Sequence, residues 1–428
     1  MHKWIIAALA ALASATAAAT VAPAQTVDVR AGRLIDPVAG RTLTDQRVRI
    51  VDGKFVAVTP WRAADGPAAV DWSAYTVLPG LIDLHTHVAD GFPFGSDPAE
   101  PLKHSEAATI LKGAEAARTM LRAGFTTIRD VGAYRGLTDV ALRDAIAGGW
   151  VEGPRMFVAG GYITAPGGGG AITGMAPDVP VPAAFRIGEV RNPDEARDRA
   201  RHLLQNGADF IKIIATGAVL ALGSVPGALE LSEPEIKAAC DEARARGKYC
   251  IAHAHGAEGI KTSIRAGART IEHASYLDAE GIALAKRHGT FLDMDIYNGD
   301  WFREVGTKEG WPAEYLRKGE ETTGVQRAAF SAALKAGARL TFATDSGVYP
   351  HGLGARQFAF MTRFGMTAMQ AIRSATSEAA KALDREGQLG SLAPGAWGDL
   401  IAVSGDPLTD VRRLEQVAGV VKEGRLVR

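Results

Sequence analysis

The stretch LPGLIDLHTHV, residues 78–88, carries the strongest indication of how this chain folds. It is an apolar run that ends in two histidines, His85 and His87, with one residue between them. Side chains alternate along a strand, so both imidazoles lie on the same side and face one point. Because neutral imidazoles are common metal ligands, the stretch predicts a buried strand that supplies half of a metal site. A chance pair on a surface strand is the alternative, and the rest of the chain must decide.

Seven further apolar runs that end in polar residues follow this one. They are FTTIRDVG (125–132), RMFVAGGYI (155–163), DFIKIIATG (209–217), KYCIAHAHG (248–256), RTIEHAS (269–275), GTFLDMDIYN (289–298) and RLTFATDSG (339–347). Such runs are typical of parallel strands buried on both faces. Helical periodicity separates them, as in residues 105–123 and after the capping-box signal at residues 232–235. The alternation predicts an α/β fold, a (β/α)8 TIM-like barrel. An open doubly wound sheet is the alternative, but no Gly-x-Gly-x-x-Gly follows a first strand.

Both ends of the chain carry short strand signals separated by turn residues, in residues 26–75 and 385–428. Together they predict one small β-sandwich that is formed by both chain ends. The predicted organisation is a signal peptide over 1–24, the sandwich over 25–78 and 384–428, and a metallohydrolase barrel over 79–383.

The first residues resemble a secretory signal. Lys3 precedes an apolar, Ala-rich run, and Ala22-Pro23-Ala24 resembles a small-x-small cleavage site. This predicts an exported protein, periplasmic or secreted. The chain has 48 basic and 48 acidic residues and a formal net charge of zero. Without a basic block, nucleic acid and anionic membranes are not expected as partners.

The two cysteines lie close together in the sequence. Cys240 falls in a predicted helix and Cys250 in the strand that follows it. An oxidising compartment would allow a bridge, but geometry decides pairing and sequence does not supply it. We expect two buried free thiols.

Further candidate metal ligands stand at the ends of other strands. In a (β/α)8 barrel, functional groups gather at the C-terminal ends of the strands. The candidates are Lys212 in strand four, His253 and His255 in strand five, His273 in strand six and Asp345 in strand eight. This joint placement favours the metal site over chance.

Lys212 lies between two isoleucines, where a cation is expensive to bury. Burial depresses the pKa of a lysine, and a neutral amine can react with carbon dioxide to give a carbamate. The two carbamate oxygens could bridge two divalent metal ions; an ion pair with a carboxylate is the alternative. Two such ions would share a hydroxide at neutral pH, with Asp345 as general base and acid. The site suits hydrolysis of an amide or a related C–N bond. An exported metal-binding protein without turnover is the alternative from another class.

These residues, together with GLIDLHTH and the closing run LGSLAPGAWGDLIAVSGDPL, resemble the metal-dependent amidohydrolase superfamily. The resemblance implies a barrel with a small β-sandwich and two divalent ions, usually Zn2+, bridged by a carboxylated Lys212. The remaining ligands would be His85, His87 and Asp345 for the first ion, and His253 and His273 for the second. It also implies a homo-oligomer, with an octamer as the expected form.

The segments FIKIIATGAV, IEHAS and ATDSGVYPHG are most similar to the imidazolonepropionase-related, prolidase-like branch. This implies hydrolysis of peptide-like amides, with N-acyl aromatic amino acids, including ochratoxin A, as leading substrates and phenylalanine as the product released. The alternative is a dipeptidase for Xaa-Pro or other dipeptides. A cyclic-amide hydrolase or deaminase is less favoured, since mononuclear members generally lack the lysine found here at Lys212.

Four residues are candidates for contacting the substrate. A substrate carboxylate needs a cationic or N–H-rich partner, and His255, His351 and Arg129 could supply it. Tyr297, at the predicted end of strand seven, could line the pocket. The alternatives are an ion pair between Arg129 and Asp130, a surface-loop histidine at His351, and an aromatic rim residue at Tyr297.

Overall fold

The computed structural model describes residues 25–90, 95 and 97–428. The predicted signal peptide, residues 1–24, lies outside the described residues. Within the described part of the chain, no helix combines the length and the apolar composition needed to cross a bilayer.

Strands and helices alternate through the middle of the chain, while strands dominate both ends. The strands are β1 (Thr26–Asp36), β2 (Arg41–Val51), β3 (Lys54–Pro60), β4 (Val70–Pro79), β5 (Leu81–Thr86), β6 (Phe125–Asp130), β7 (Arg155–Val158), β8 (Tyr162–Ile163), β9 (Ile211–Ile214), β10 (Cys250–Ala254), β11 (Thr270–His273), β12 (Phe291–Asp293), β13 (Arg339–Thr341), β14 (Leu400–Val403), β15 (Val417–Lys422) and β16 (Arg425–Leu426). The helices are α1 (Glu106–Arg122), α2 (Thr138–Ala147), α3 (Pro193–Gln205), α4 (Glu233–Ala245), α5 (Ala257–Ala266), α6 (Ala279–His288), α7 (Asn298–Trp301), α8 (Thr307–Glu309), α9 (Ala313–Lys335), α10 (Arg356–Arg363), α11 (Ala368–Ser374) and α12 (Ser377–Ala382).

The predicted (β/α)8 barrel is confirmed. Strands β5, β6 and β7 form one parallel sheet, and β8 to β13 form a second in chain order. The third barrel strand is divided into β7 and β8 around Gly160, whose φ of +75° is a left-handed value that favours glycine. The barrel closes between its first and last strands, where the Leu84 N–H donates to the Phe342 carbonyl at 3.0 Å.

Local signals explain where the barrel helices begin. The Ser105 side chain accepts the Ala108 N–H at the start of α1, and Asn192 caps α3 in the same way. Ser232 and Glu235 form the predicted capping box of α4. These caps satisfy backbone N–H groups that have no partner inside the helix. The helix starts are therefore specified locally, and apolar faces dock them on the barrel.

The prediction that both chain ends combine beside the barrel is confirmed, and they do so in one seven-stranded sheet. Its strand order is β16-β15-β14-β4-β1-β2-β3, so C-terminal strand β14 pairs with N-terminal strand β4. The sheet has its own apolar core, which includes Val48, Phe55 and Trp72 from the N-terminal part and Leu400 and Val421 from the C-terminal part. The two ends of the chain therefore stabilise each other beside the barrel.

The expectation of two free thiols is wrong. Cys240, in the middle of α4, and Cys250, at the start of β10, form a disulfide with a Cα–Cα distance of 5.1 Å. The cause is the tight return from helix to strand, which ends α4 at the same edge of the barrel where β10 begins. Sequence separation alone does not report that proximity.

Candidate metal centre

A cavity lies at the C-terminal ends of the barrel strands, where a (β/α)8 barrel places its functional groups. Seven residues predicted from the strand ends line it together: His85, His87, Lys212, His253, His255, His273 and Asp345. They come from five different strands or strand ends, so the fold alone brings them to one place.

The five histidines are packed ring against ring. The ring centroids of His253 and His273 are 4.5 Å apart, and those of His85 and His273 are 4.9 Å apart. Two groups have ligand atoms that all lie within 4.8 Å of one another: His253, His255 and His273, and His85, His273 and Asp345. His273 belongs to both groups, so the two groups adjoin, and either could hold a cation.

His85 provides the clearest test of whether a metal suits these residues. Its Nδ1 lies 2.8 Å from the Glu272 carboxylate, so Nδ1 carries the proton and donates it. Burial, reinforced by the charge of Lys212, holds the pKa of His85 well below its usual range. Nε2 therefore keeps a lone pair, and this buried atom has no hydrogen-bond partner among the described residues. A buried acceptor without a donor is unfavourable, and a cation would satisfy it.

Asp345 presents its two oxygens to different neighbours. Oδ1 lies 3.3 Å from Nε2 of His85 and 3.2 Å from Nε2 of His87. Burial would lower the pKa of His87, but the hydrogen bond and charge of Asp345 outweigh burial and raise it. Asp345 also has a φ of +56°, a conformation that is strained for a residue other than glycine. His85, His87 and Asp345 thus converge as a first set of nitrogen and oxygen donors.

The second set of donors consists of His253, His255 and His273, and hydrogen bonds orient each ring. His273 Nδ1 lies 2.9 Å from Asp295 Oδ1, and its φ is +67°. His253 Nε2 lies 3.1 Å from the Gly217 carbonyl, and His255 Nδ1 lies 2.8 Å from Ser275 Oγ. One nitrogen of each ring therefore forms a hydrogen bond, which fixes the orientation of the ring and leaves the other nitrogen to bind a metal ion.

Lys212 lines the same cavity from β9. It pairs in register with Tyr162 of β8 and Ile251 of β10, and its side chain is buried. Burial lowers the pKa of Lys212 to about 8. Among the described residues, no carboxylate forms an ion pair with its amine within 4.0 Å. The simple ion pair that the sequence left open is therefore not formed.

Arg129 does not fit the expected role in substrate binding. Its side chain is fully buried below the cavity and is not one of the residues that line it. Nη2 donates to Glu272 at 2.9 Å and to Asp293 at 2.5 Å, and Nε donates to the Leu84 carbonyl at 2.7 Å. Arg129 forms ion pairs, as the alternative interpretation of the sequence expected, but its partners are Glu272 and Asp293 and not Asp130. Through Glu272, Arg129 supports the ring orientation of His85.

Tyr297 and His351 also lie outside the residues that line the cavity. Tyr297 falls beyond the end of β12, and its ring packs against Tyr349 with centroids 5.0 Å apart. Its hydroxyl accepts a hydrogen bond from Arg356 at 3.0 Å. His351 Nδ1 lies 3.3 Å from Ser346 Oγ. Of the four expected substrate contacts, His255 is the one that the structure places in the cavity.

The described cavity residues that were not singled out from the sequence include Asp295, Asn298 and Gln326. Asp295 follows strand seven in the alternating acidic pattern FLDMD, which could have indicated it. Asn298 begins the short helix α7, and Gln326 lies within α9. Neither amide carries a sequence signal, because an isolated Asn or Gln in a helix is usually a solvated residue.

The remaining wall of the cavity is largely apolar. Its members include Ile214, Val219, Leu220, Phe302 and Val348. The glycine-rich loop contributes Gly169 and Gly170, and the Gly169 N–H donates to Glu230 Oε2 at 2.7 Å. Apart from Lys212, the described lining residues include no lysine and no arginine. The cavity therefore combines a polar floor of histidines with an apolar side.

Comparison with known proteins agrees with this geometry. The Amidohydrolase family model matches residues 76–427 of the chain. The chain is 29% identical over 381 residues to the ochratoxinase of Aspergillus niger, covering 82% of this chain and 75% of that protein. It is also 26% identical over 373 residues to the imidazolonepropionase of Methylobacterium sp. (strain 4-46), covering 82% of this chain and 85% of that protein.

A solved structure is similar over almost the whole chain. A Xaa-Pro dipeptidase with methionine bound in its active site has a TM-score of 0.88 and 34% sequence identity. The match covers 94% of this chain and 100% of that one. The similarity therefore includes both the barrel and the sheet that the two chain ends build beside it.

Proposed function

Because the chain belongs to the amidohydrolase family and is a hydrolytic enzyme, we propose that it cleaves peptide-like amides with two divalent metal ions. The leading substrates are N-acyl aromatic amino acids, including ochratoxin A, from which it would release phenylalanine. The observation that carries this proposal is the unpartnered, buried Nε2 of His85 beside Asp345 Oδ1, at the centre of the histidine cluster.

The proposed ligands follow the two sets of donors. His85, His87 and Asp345 would hold one ion, and His253 and His273 would hold the other. His255 lies close enough to the second set to contact either the ion or the substrate. Imidazole and carboxylate donors in a buried cavity suit Zn2+, which we propose as the metal.

Lys212 is proposed to bridge the two ions as a carbamate. Burial lowers the pKa of this amine to about 8, so a larger share of it is neutral near pH 7 than for an ordinary lysine. A neutral amine can add to carbon dioxide. The resulting anion would also remove the problem of an ammonium group buried without a carboxylate beside it.

When bound, the ions would acidify water and polarise the scissile carbonyl. Asp345 would take the proton that the attacking water releases and then deliver it to the leaving nitrogen. The histidine floor would hold the carbonyl end of the substrate over the metal centre. The apolar wall would exclude bulk water and receive an aromatic or aliphatic substituent.

An N-acyl amino acid also brings a carboxylate. With no second cation among the described lining residues, its partner would be an imidazole donor such as His255. The similarity to ochratoxinase supports an N-acyl amino acid, and the similarity to a Xaa-Pro dipeptidase supports the second candidate, a dipeptidase. A cyclic-amide hydrolase is third, because we propose that Lys212 bridges two ions.

A substrate panel separates these candidates. The zinc-loaded mature protein is incubated with ochratoxin A, N-acyl-phenylalanines, Xaa-Pro and other dipeptides, and a cyclic imide, and products are followed by chromatography. Metal-dependent release of phenylalanine from acylated compounds is the expected result. Cleavage confined to dipeptides would move the assignment to the second candidate, and cleavage confined to the imide would overturn the proposal.

We also propose that the protein is exported and forms a homo-oligomer. The Cys240–Cys250 disulfide is the kind of bond that persists in an oxidising compartment, which supports export. Cell fractionation tests the location, and light scattering of the purified protein tests the assembly, for which an octamer is expected.

A further inference from the structure

Asn298 hydrogen-bonds two carboxylates of the site, Asp295 and Asp345. It is the first residue of α7 and is buried, with a fractional exposure of 4%. Its Nδ2 lies 2.6 Å from Asp295 Oδ2 and 3.2 Å from Asp345 Oδ2. Because both neighbours are carboxylate oxygens, the atom between them is the amide nitrogen, and it donates to both.

The contact falls on one particular oxygen of Asp345. Oδ1 faces the Nε2 atoms of His85 and His87, at 3.3 and 3.2 Å, and would be occupied by the metal centre. Oδ2 receives the hydrogen bond from Asn298. A carboxylate oxygen can accept more than one hydrogen, so Oδ2 keeps room for a proton beside the Asn298 N–H.

We propose that Asn298 is a positioning residue that fixes Asp345 Oδ2 as the oxygen that carries the proton to the leaving nitrogen. This inference rests on the proposed function. In the reaction, the oxygen of water forms a bond to the amide carbon and one of its protons goes to Oδ2. That proton then moves to the nitrogen as the C–N bond breaks, so that an acid and an amine leave and Asp345 returns to its starting form.

The surroundings of Asn298 hold its amide in place. Asp295, its other partner, accepts from His273 Nδ1 at 2.9 Å and from Gln326 Nε2 at 3.0 Å, so this carboxylate is fixed from two sides. The next residue, Gly299, packs so closely on α9 that an added Cβ would lie 1.9 Å from Thr323 Oγ1. The start of α7 is therefore pressed against α9, and Asn298 has little freedom to turn away from Asp345.

Gln326 provides a matched control for Asn298. Both side chains donate an amide N–H to Asp295, and both line the cavity. Gln326 donates its other bond to the His273 carbonyl at 3.0 Å, whereas Asn298 donates to Asp345. If Asn298 acts only by supporting the fold or His273, the two residues should behave alike.

The test compares two leaving groups on one acyl group. An N-acyl-phenylalanine needs a proton on its leaving nitrogen, whereas the p-nitrophenyl ester of the same acid expels a phenolate that does not. With Asn298→Ala we expect kcat on the amide to fall by about 100-fold, in the range of general acid–base effects. The ester still needs Oδ2 to take a proton from water, so we expect its kcat to fall by about tenfold at most, while KM on both substrates and zinc content by elemental analysis stay within about threefold of wild type.

Two further variants complete the design. Asn298→Leu, which keeps a similar size but removes the donor, should show the same selective loss, and it serves if Asn298→Ala fails to fold. Gln326→Leu should change the two substrates equally. Equal losses on amide and ester in the Asn298 variants, loss of zinc, or unchanged amide turnover would each remove the role of Asn298 and leave the proposed function standing. If the wild type releases no amine, the proposed function fails, and this inference fails with it.

Discussion

The two ends of the same barrel strands carry different kinds of residues. Strand β10 begins at Cys250, which is bonded to Cys240, and runs to His253 in the cavity. Arg269 precedes β11 and donates to the Ala382 and Lys381 carbonyls at 2.6 and 2.7 Å, whereas β11 ends at His273. At the N-terminal ends of these two strands, the sulfur atoms and the guanidinium therefore have partners within the protein.

At the C-terminal ends, by contrast, some groups lack a hydrogen-bond partner or have a strained backbone. His85 Nε2 is buried without a hydrogen-bond partner, and His273 and Asp345 have φ values of +67° and +56°. Unsatisfied atoms and strained residues lower stability and persist where function requires them. We infer that residues at the N-terminal ends of the strands stabilise the barrel, whereas residues at the C-terminal ends supply the chemistry.

The largest expected effect is at the chemical end. Asp345→Asn should lower kcat on an N-acyl-phenylalanine by about 1,000-fold or more, because the amide cannot take and return a proton. Bound zinc should be largely retained, since Asn keeps an oxygen in place of Oδ1. Initial rates and elemental analysis check both statements. Turnover at the wild-type rate would rule out the acid–base role.

A second effect concerns the support of His273. Asp295→Asn should weaken zinc binding by about 10- to 100-fold, because the carboxylate that orients the imidazole is replaced by a neutral amide. Competition with a chelator of known affinity measures this, and thermal unfolding of the metal-free protein provides the control. Unchanged zinc affinity would show that Asp295 does not act through His273.

At the other end of the barrel, the expected effect is on stability alone. Cys240→Ser with Cys250→Ser should lower the free energy of unfolding by about 2–3 kcal/mol, since the bond closes a short loop. Denaturant unfolding measures this, and kcat and zinc content of the folded variant should match wild type. A loss of zinc with unchanged stability would break the distinction between the two ends.

The smallest effect is expected for Arg339→Met. The guanidinium lies 3.7 Å from the centroid of the Phe291 ring at the start of β12. Removing this cation–π contact should lower stability by about 0.5–1 kcal/mol and leave turnover unchanged. The same unfolding assay measures the loss of stability. A change in kcat would show that the N-terminal ends of the strands affect turnover in the cavity.

Much of the architecture could be predicted from the sequence, because it depends on local patterns. Apolar runs and capping residues such as Ser232 mark the strands and helices, and barrel geometry brings the strand ends together. For this reason His85, Lys212, His253 and Asp345 could be expected in one cavity before any coordinates were known. Their proposed roles as ligands and base remain to be measured.

What could not be predicted depends on distances between elements. Arg129 was a candidate for binding the substrate carboxylate, but its side chain is buried outside the cavity and donates to Glu272 and Asp293. Tyr297 does not line the cavity, because β12 ends at Asp293, earlier than the apolar run predicted. Asn298 gained its place only through the packing of α7 against α9. The disulfide likewise required the actual separation of two elements.

The most direct test of the account is a zinc titration of the chelated enzyme, with phenylalanine release from ochratoxin A as the readout. We predict no release by the metal-free protein, a rise on adding zinc, and a plateau at two equivalents per chain. Release that persists after complete removal of metal would contradict the metal-dependent mechanism, and a plateau at one equivalent would contradict the binuclear centre.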